Sequence, residues 1–156
     1  MQSKHGGANV KLPPPLVFLG MVAVGVLLSY LQPIGEELNA ALWRTVGAVF
    51  VGAGIFLIAW AIGFFRRTGQ RPEPWMPTPS IIQDGPYRYT RNPMYLGMTL
   101  AQMGIGFGMS NVWIVGLAFV ALAIVHHTAV LPEENYLTEK FGSSYTEFTK
   151  RIRRYL

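Results

Sequence analysis

The chain has 156 residues, of which 51% are hydrophobic and only 13% charged, against roughly 25% charged in a typical soluble domain. It has no cysteine, which excludes disulfides, a thiolate nucleophile and cysteine-ligated metals. A net charge of +5 in a soluble protein would suggest nucleic acid, but no charged residue falls within 12–35, 45–65 or 92–132. We therefore expect one all-α integral membrane domain over 1–156, without a nucleic-acid partner, whose basic groups meet anionic membrane lipids.

The first two predicted elements are membrane spans. Residues 15–31 are almost wholly apolar, and at 1.5 Å per residue they rise about 25 Å, enough to cross a bilayer core. Lys4 and Lys11 precede this run as in a signal peptide, but further apolar runs follow it, which favours an uncleaved first span. A second, glycine-rich apolar run over 42–65 ends at two arginines and predicts a longer span.

The next segment, 66–93, holds six of the eleven prolines, and its aromatic residues favour an ordered functional loop over a disordered one. The following 94–131 region has no charge and is too long for one span. A turn near Gly108–Asn111 divides it into predicted spans at 94–109 and 112–131. Gly104 lies four residues before Gly108, a spacing that predicts tight packing of this hairpin.

The tail, 132–156, is predicted to form amphipathic cytoplasmic helices. Pro132 fits a first helical turn, and Ser144 with Glu147 resembles a capping box that restarts the helix after Gly142. The basic residues at its end are expected at the lipid headgroups: Lys150, Arg151, Arg153 and Arg154. With about four spans and both termini cytoplasmic, only Arg44 among the 13 basic residues falls outside.

The last two predicted spans bring two polar segments together, because a helical hairpin joins its own ends. The segment 91–97 at the entrance should lie near Glu133 and Glu134 at the exit, and charged groups at a membrane edge suggest a site. Positive-inside anchoring, an aromatic belt and the helix dipole each explain part of this pattern equally well. Elsewhere, Gln102 is expected to hydrogen-bond between helices. The adjacent His126 and His127 point in different directions, so no metal site is predicted.

The motif Gly85-Pro-Tyr-Arg-Tyr-Thr-Arg-Asn-Pro-Met-Tyr-Leu-Gly97 resembles the signature of the isoprenylcysteine carboxyl methyltransferase family, G-x-Y-x-x-x-R-H-P-x-Y-x-G. A hydrophobic hairpin, a Glu-Glu pair, the Phe141–Tyr145 element and a basic tail follow in the family's order. The resemblance covers about 81–154. Asn92 replaces the usual histidine, and in this it is similar to phosphatidylethanolamine N-methyltransferases of the same superfamily. Asparagine cannot titrate, so a proton-transfer role at that position is in doubt.

The resemblance implies an S-adenosylmethionine pocket between the last two spans and the tail. It implies activity-related roles for three residues: Arg91, Glu134 and Arg151. It implies cofactor contacts for Tyr87, Asn92, Pro93, Tyr95, Gly97, Glu133 and Glu134. The substrate would be a lipid or another lipophilic small molecule, methylated at the cytoplasmic membrane face.

Two other functions stay open at this point. Sterol and steroid reductases resemble the chain in their C-terminal hairpin and use NADPH, but the Glu pair favours methyl transfer. A non-enzymatic membrane scaffold is the other alternative. The sequence does not distinguish among a carboxylate, amine, hydroxyl or thiol as methyl acceptor, and it leaves the oligomeric state open.

Overall fold

The computed structural model describes residues 6–10, 12–34 and 40–155, and within these ranges it contains helices and no strand. Lys4 and Lys11, which entered the orientation argument, lie outside the described residues. The helices, in chain order, are α1 Pro14–Leu31, α2 Ala40–Arg67, α3 Pro93–Gly108, α4 Val112–Val125, α5 Leu131–Phe141 and α6 Ser143–Arg151. A 3-10 turn at Gly85–Arg88 precedes α3, and a π-helical turn at His126–Val130 joins α4 to α5.

Three helical stretches among the described residues are long and apolar enough to cross a membrane: Pro14–Leu31, Ala40–Arg67 and Val112–Phe141. Their outer faces carry large exposed apolar side chains, such as Leu19 and Phe56, as lipid-facing helices do. The expected third span corresponds to α3, which has 16 residues and rises about 24 Å. The fourth crossing therefore stays a prediction.

The closest helix pair is α2 with α3, which run antiparallel along a line of small residues. We call Gly47, Gly54, Gly97 and Gly104 the glycine seam. A methyl group at Gly54 would lie 2.5 Å from the carbonyl oxygen of Gly97, and one at Gly104 would lie 2.7 Å from that of Gly47. The prediction that Gly104 packs α3 against α4 was wrong, because Gly104 packs against α2 instead.

The core lies where α4 meets α1 and α3. At the end of these helices that lies away from the chain termini, polar groups join α1 and α3 to α4. Asn111 caps α4 by accepting from the Ile114 amide at 3.1 Å, and its side chain donates to Gly25 O of α1 at 3.3 Å. Gln102 donates to Ile114 O at 3.2 Å, which confirms the predicted hydrogen bond between helices. These bonds fix the turn between α3 and α4.

The helix does not break at residue 131, where the sequence predicts the end of a span and Pro132 the start of a new helix. Instead α4, the π-helical turn and α5 continue as one helix over Val112–Phe141. A proline inside an α-helix clashes with the carbonyl four residues earlier, here Thr128, and a wider turn relieves that contact. The π-helical turn therefore allows the helix to continue past Pro132 without a break.

The described segments near the two ends of the chain lie on one side of the helices. In detail they differ from the sequence prediction. Gly142, at φ +54°, separates α5 from α6, yet no side chain caps α6, so the predicted Ser144–Glu147 capping box is absent. Beyond α6 the chain is extended, and we call residues 152–155 the C-terminal strap. Ala8 N donates to Pro74 O, and Arg91 N donates to Arg153 O, both at 3.0 Å. Both ends of the chain therefore contact the 66–93 segment.

Candidate active site

A cavity of about 780 Å³, counted out to its open mouth, lies beside the start of α3 on the side of the chain termini. The proline-rich segment, α3, α5 and α6 all contribute to its lining. Tyr145 and Phe148 reach it from the buried face of α6, and Tyr136 reaches it from α5. The helical hairpin thus brings two distant parts of the sequence to one cavity, as the sequence predicts.

A three-member charge cluster lies at the edge of this cavity. Arg91 Nη1 is 3.0 Å from Glu134 Oε1, with the two side chains only 11% and 16% exposed. Arg154 holds the same carboxylate through two parallel bonds, Nε to Oε1 at 2.9 Å and Nη2 to Oε2 at 2.8 Å. The hydrogen bonds to Glu134 raise the pKa of Arg154, so this guanidinium stays cationic. Glu134 thereby orients two arginines from opposite ends of the motif region and balances the charge of one of them.

The C-terminal strap is also bound through its backbone. Arg154 O accepts from Asn92 Nδ2 at 2.9 Å and from the Thr90 hydroxyl at 3.1 Å. The Thr90 hydroxyl in turn accepts from Asn92 N at 3.2 Å. The asparagine that replaces the family's usual histidine is 8% exposed, and its amide fixes the strap at the entrance of α3.

Two tyrosines and a glutamate form the inner wall. The Tyr95 hydroxyl donates to Glu133 Oε1, joining α3 to α5. Tyr87 is 7% exposed and packs edge-on against Phe65. Burial, with a smaller contribution from the Glu133 charge, raises the pKa of Tyr87 well above its usual value, so its hydroxyl keeps its proton.

The cavity lining has unsatisfied polar atoms. Five buried side-chain atoms among the described residues have no hydrogen-bond partner, and four of these belong to residues that line the cavity: Gln70 Oε1, Glu73 Oε2, Tyr87 Oη and Arg91 Nε. Buried polar atoms are almost always paired, so their concentration in one place indicates a polar ligand site. The set offers both donors and acceptors.

The predicted site residues separate into three groups. Tyr87, Asn92, Pro93, Tyr95 and Glu133 line the cavity, as does Arg91. Glu134 lies behind Arg91 in the charge cluster, and Gly97 lies one turn further along α3, against α2. Arg151 lies apart from them on the surface, where its Nη2 donates to Gln83 Oε1 at 3.0 Å.

Sequence reasoning missed Arg154, Gln70 and Glu73. Arg154 belongs to a basic run expected at the headgroups. It lies on the C-terminal strap, beyond the end of α6 at Arg151, and from there it binds Glu134. The other two lie in the proline-rich segment, where no periodicity predicts orientation. Polarity does not single them out either, because the segment holds many other polar residues.

The fold and cavity define a class: an all-helical integral membrane protein with a partly polar cavity at one end of its helices. A family described as Phospholipid methyltransferase matches residues 42–144, about two thirds of the chain. The chain belongs to this phospholipid methyltransferase family, which confirms the resemblance drawn from 81–154 and implies a membrane methyltransferase. Members of this family generally use S-adenosylmethionine. No curated protein and no solved structure matches the chain.

Proposed function

We propose that the protein transfers a methyl group from S-adenosylmethionine to a lipophilic or amphipathic acceptor at the cytoplasmic membrane face. The observation that carries this proposal is the cavity beside α3, lined by the motif residues together with the unpaired polar atoms of four side chains. The family match supports methyl transfer, and the membrane-edge position of the cavity supports an acceptor that reaches it from lipid.

The cofactor supplies, when bound, a methyl group activated by its sulfonium charge. The residues of the chain then have to bind the cofactor and the acceptor, align them and exclude water. The faces of Tyr87 and Tyr95 suit a cation, because an aromatic ring attracts positive charge to its face. Glu133, fixed by the Tyr95 hydroxyl, contributes negative charge on the same wall.

Arg91 is proposed to bind a carboxylate or another anionic group, because its Nη1 is committed to Glu134 while its buried Nε has no partner. Glu134 is proposed to keep Arg91 in place. Asn92 and Pro93 shape the entrance of α3, and Gly97 allows α3 to approach α2. Arg151, matched to the family by its motif position, is proposed to act at the surface beside Gln83, where an acceptor headgroup would enter.

The direct test gives purified protein S-adenosylmethionine labelled in its methyl group, together with a total lipid extract. We expect label in the organic phase, and mass spectrometry of the product then identifies the methylated atom. The Glu134→Gln variant serves as the inactive control, and Glu139→Gln, an exposed substitution on α5, serves as the active one. Absence of label from the lipid, with label in a water-soluble product, would contradict the lipophilic acceptor.

Ligand-induced stabilisation in detergent separates this function from the reductase and scaffold alternatives. We expect S-adenosylhomocysteine to raise the melting temperature, since a ligand that binds only the folded state stabilises it. A rise with NADPH and none with S-adenosylhomocysteine would overturn the proposal in favour of a reductase. No rise with either ligand would favour a scaffold.

A further inference from the structure

Glu73 lies in the proline-rich segment, outside the family motif, and lines the cavity. Its Oε2 atom is buried without a hydrogen-bond partner. Within the described part of the chain, no basic side chain lies within ion-pair distance of it. An ionised carboxylate can only accept hydrogen bonds, and a buried acceptor without a donor is costly. Glu73 thus has one carboxylate oxygen that no group of the described residues satisfies.

Gln70 is on the same wall, three residues earlier, and repeats the pattern. The residue is 6% exposed, and one end of its amide donates to Ser80 Oγ at 2.9 Å. The other end, Oε1, is buried without a partner. Two neighbouring residues of the cavity lining thus each hold one unsatisfied acceptor.

This wall is held from three directions. Gln70 N donates to Phe65 O at the end of α2 at 2.8 Å, and Pro74 O accepts from Ala8 N at 3.0 Å. Thr78 N donates to the Tyr136 hydroxyl of α5 at 3.3 Å. Contacts on both sides of Glu73 therefore fix the backbone that carries it. A fixed acceptor without a partner is what a preorganised binding site requires.

We infer that Glu73 and Gln70 form an acceptor subsite for the N–H or O–H donors of the bound cofactor. The donor-bearing groups it fits are a pair of ribose hydroxyls or a primary ammonium; carboxylates bind ribose hydroxyls in many nucleotide sites. The unpaired Arg91 Nε and the protonated Tyr87 hydroxyl, from the segment that precedes α3, suit the acceptor groups of the same ligand. This inference rests on the proposed function, since it names which residues hold that cofactor.

The test measures S-adenosylhomocysteine binding by calorimetry on the purified full chain in detergent, for the wild type, Glu73→Gln and the exposed control Glu139→Gln. Glu73→Gln keeps the shape but loses the charge, so we expect binding about tenfold weaker. The ligand-free melting temperature should not fall, because Glu73 makes no ion pair among the described residues that the substitution would break. Glu139→Gln should bind as the wild type does.

A second ligand distinguishes the two donor groups. 5′-Methylthioadenosine keeps the ribose and lacks the ammonium, so equal weakening for both ligands supports the hydroxyls. Weakening for S-adenosylhomocysteine alone supports the ammonium. Unchanged binding of both ligands by Glu73→Gln, or a lower ligand-free melting temperature alongside weaker binding, overturns the inference alone. A wild type that does not bind S-adenosylhomocysteine overturns the proposed function together with it.

Discussion

The side of α3 that faces α2 and the N-terminus of α3 are built on opposite principles. From Gly97 to Gly104 the glycine seam brings backbone against backbone, with no room for a single added methyl group. At the N-terminus of α3, Arg91, Asn92 and Tyr95 take part in hydrogen bonds and ion pairs beside a cavity with unpaired polar atoms. The seam fixes where α3 stands, and this rigidity lets a partly unsatisfied polar site persist beside it.

The largest expected effect comes from removing the shared carboxylate of the charge cluster. Glu134→Ala leaves Arg91 and Arg154 without their common partner, and loss of one partner from a mostly buried pair is strongly destabilising to the local arrangement. We expect methyl transfer to fall by about a hundredfold or more. Labelled-methyl transfer measures this, with Glu147→Ala, on the exposed face of α6, as the control. Activity within threefold of wild type would show that the cluster does not support the site.

A single methyl group in the glycine seam tests the side of α3 that faces α2. Gly54→Ala places that group 2.5 Å from Gly97 O, and we expect it to lower the free energy of unfolding by about 2 kcal/mol. Gly52→Ala is the matched control, because nothing lies within 4 Å of its added group. Thermal unfolding in detergent compares the two. Equal melting temperatures would mean that α2 and α3 do not meet along the seam.

The paired bonds of Arg154 predict a smaller loss. Arg154→Lys keeps the charge but cannot make both bonds to Glu134, since lysine lacks the planar fork. We expect kcat/KM to fall about tenfold, and a methyl-transfer series in cofactor concentration would measure it. Arg153→Lys is the control, because Arg153 is exposed and meets Arg91 through its backbone oxygen alone. Equal effects of the two substitutions would favour a general headgroup role for the tail.

The smallest expected effect concerns the strap. Asn92→Ala removes one hydrogen bond to Arg154 O, which should lower the free energy of unfolding by about 1 kcal/mol. Thermal unfolding of the ligand-free protein measures this, with Asn135→Ala, at an exposed position on α5, as the control. A loss of all methyl transfer at unchanged melting temperature would instead give Asn92 a direct chemical role.

The sequence predicts the all-helical class and the meeting of Arg91 with Glu134, because long uncharged runs and a hairpin leave few alternatives. It does not predict which arginine of the tail binds Glu134. Arg151 ends α6, whereas Arg154 lies on the C-terminal strap, whose direction depends on bonds to Thr90 and Asn92. Glu73 could not be predicted for a related reason, since only tertiary contacts orient the loop that carries it.

The π-helical turn at His126–Val130 sets the angular phase of everything that follows it. A π-helical turn contains one residue more than an α-helical turn, so a regular α-helix absorbs the deletion of one residue from it. Each residue of an α-helix advances the side-chain direction by about 100°, so deletion of one residue from α4 would rotate Glu133 and Glu134 by about that angle. The helix would remain continuous and equally apolar while both carboxylates left Tyr95 and Arg91. Single-residue length changes in α4 should therefore be tolerated far less than changes in the turn between α3 and α4.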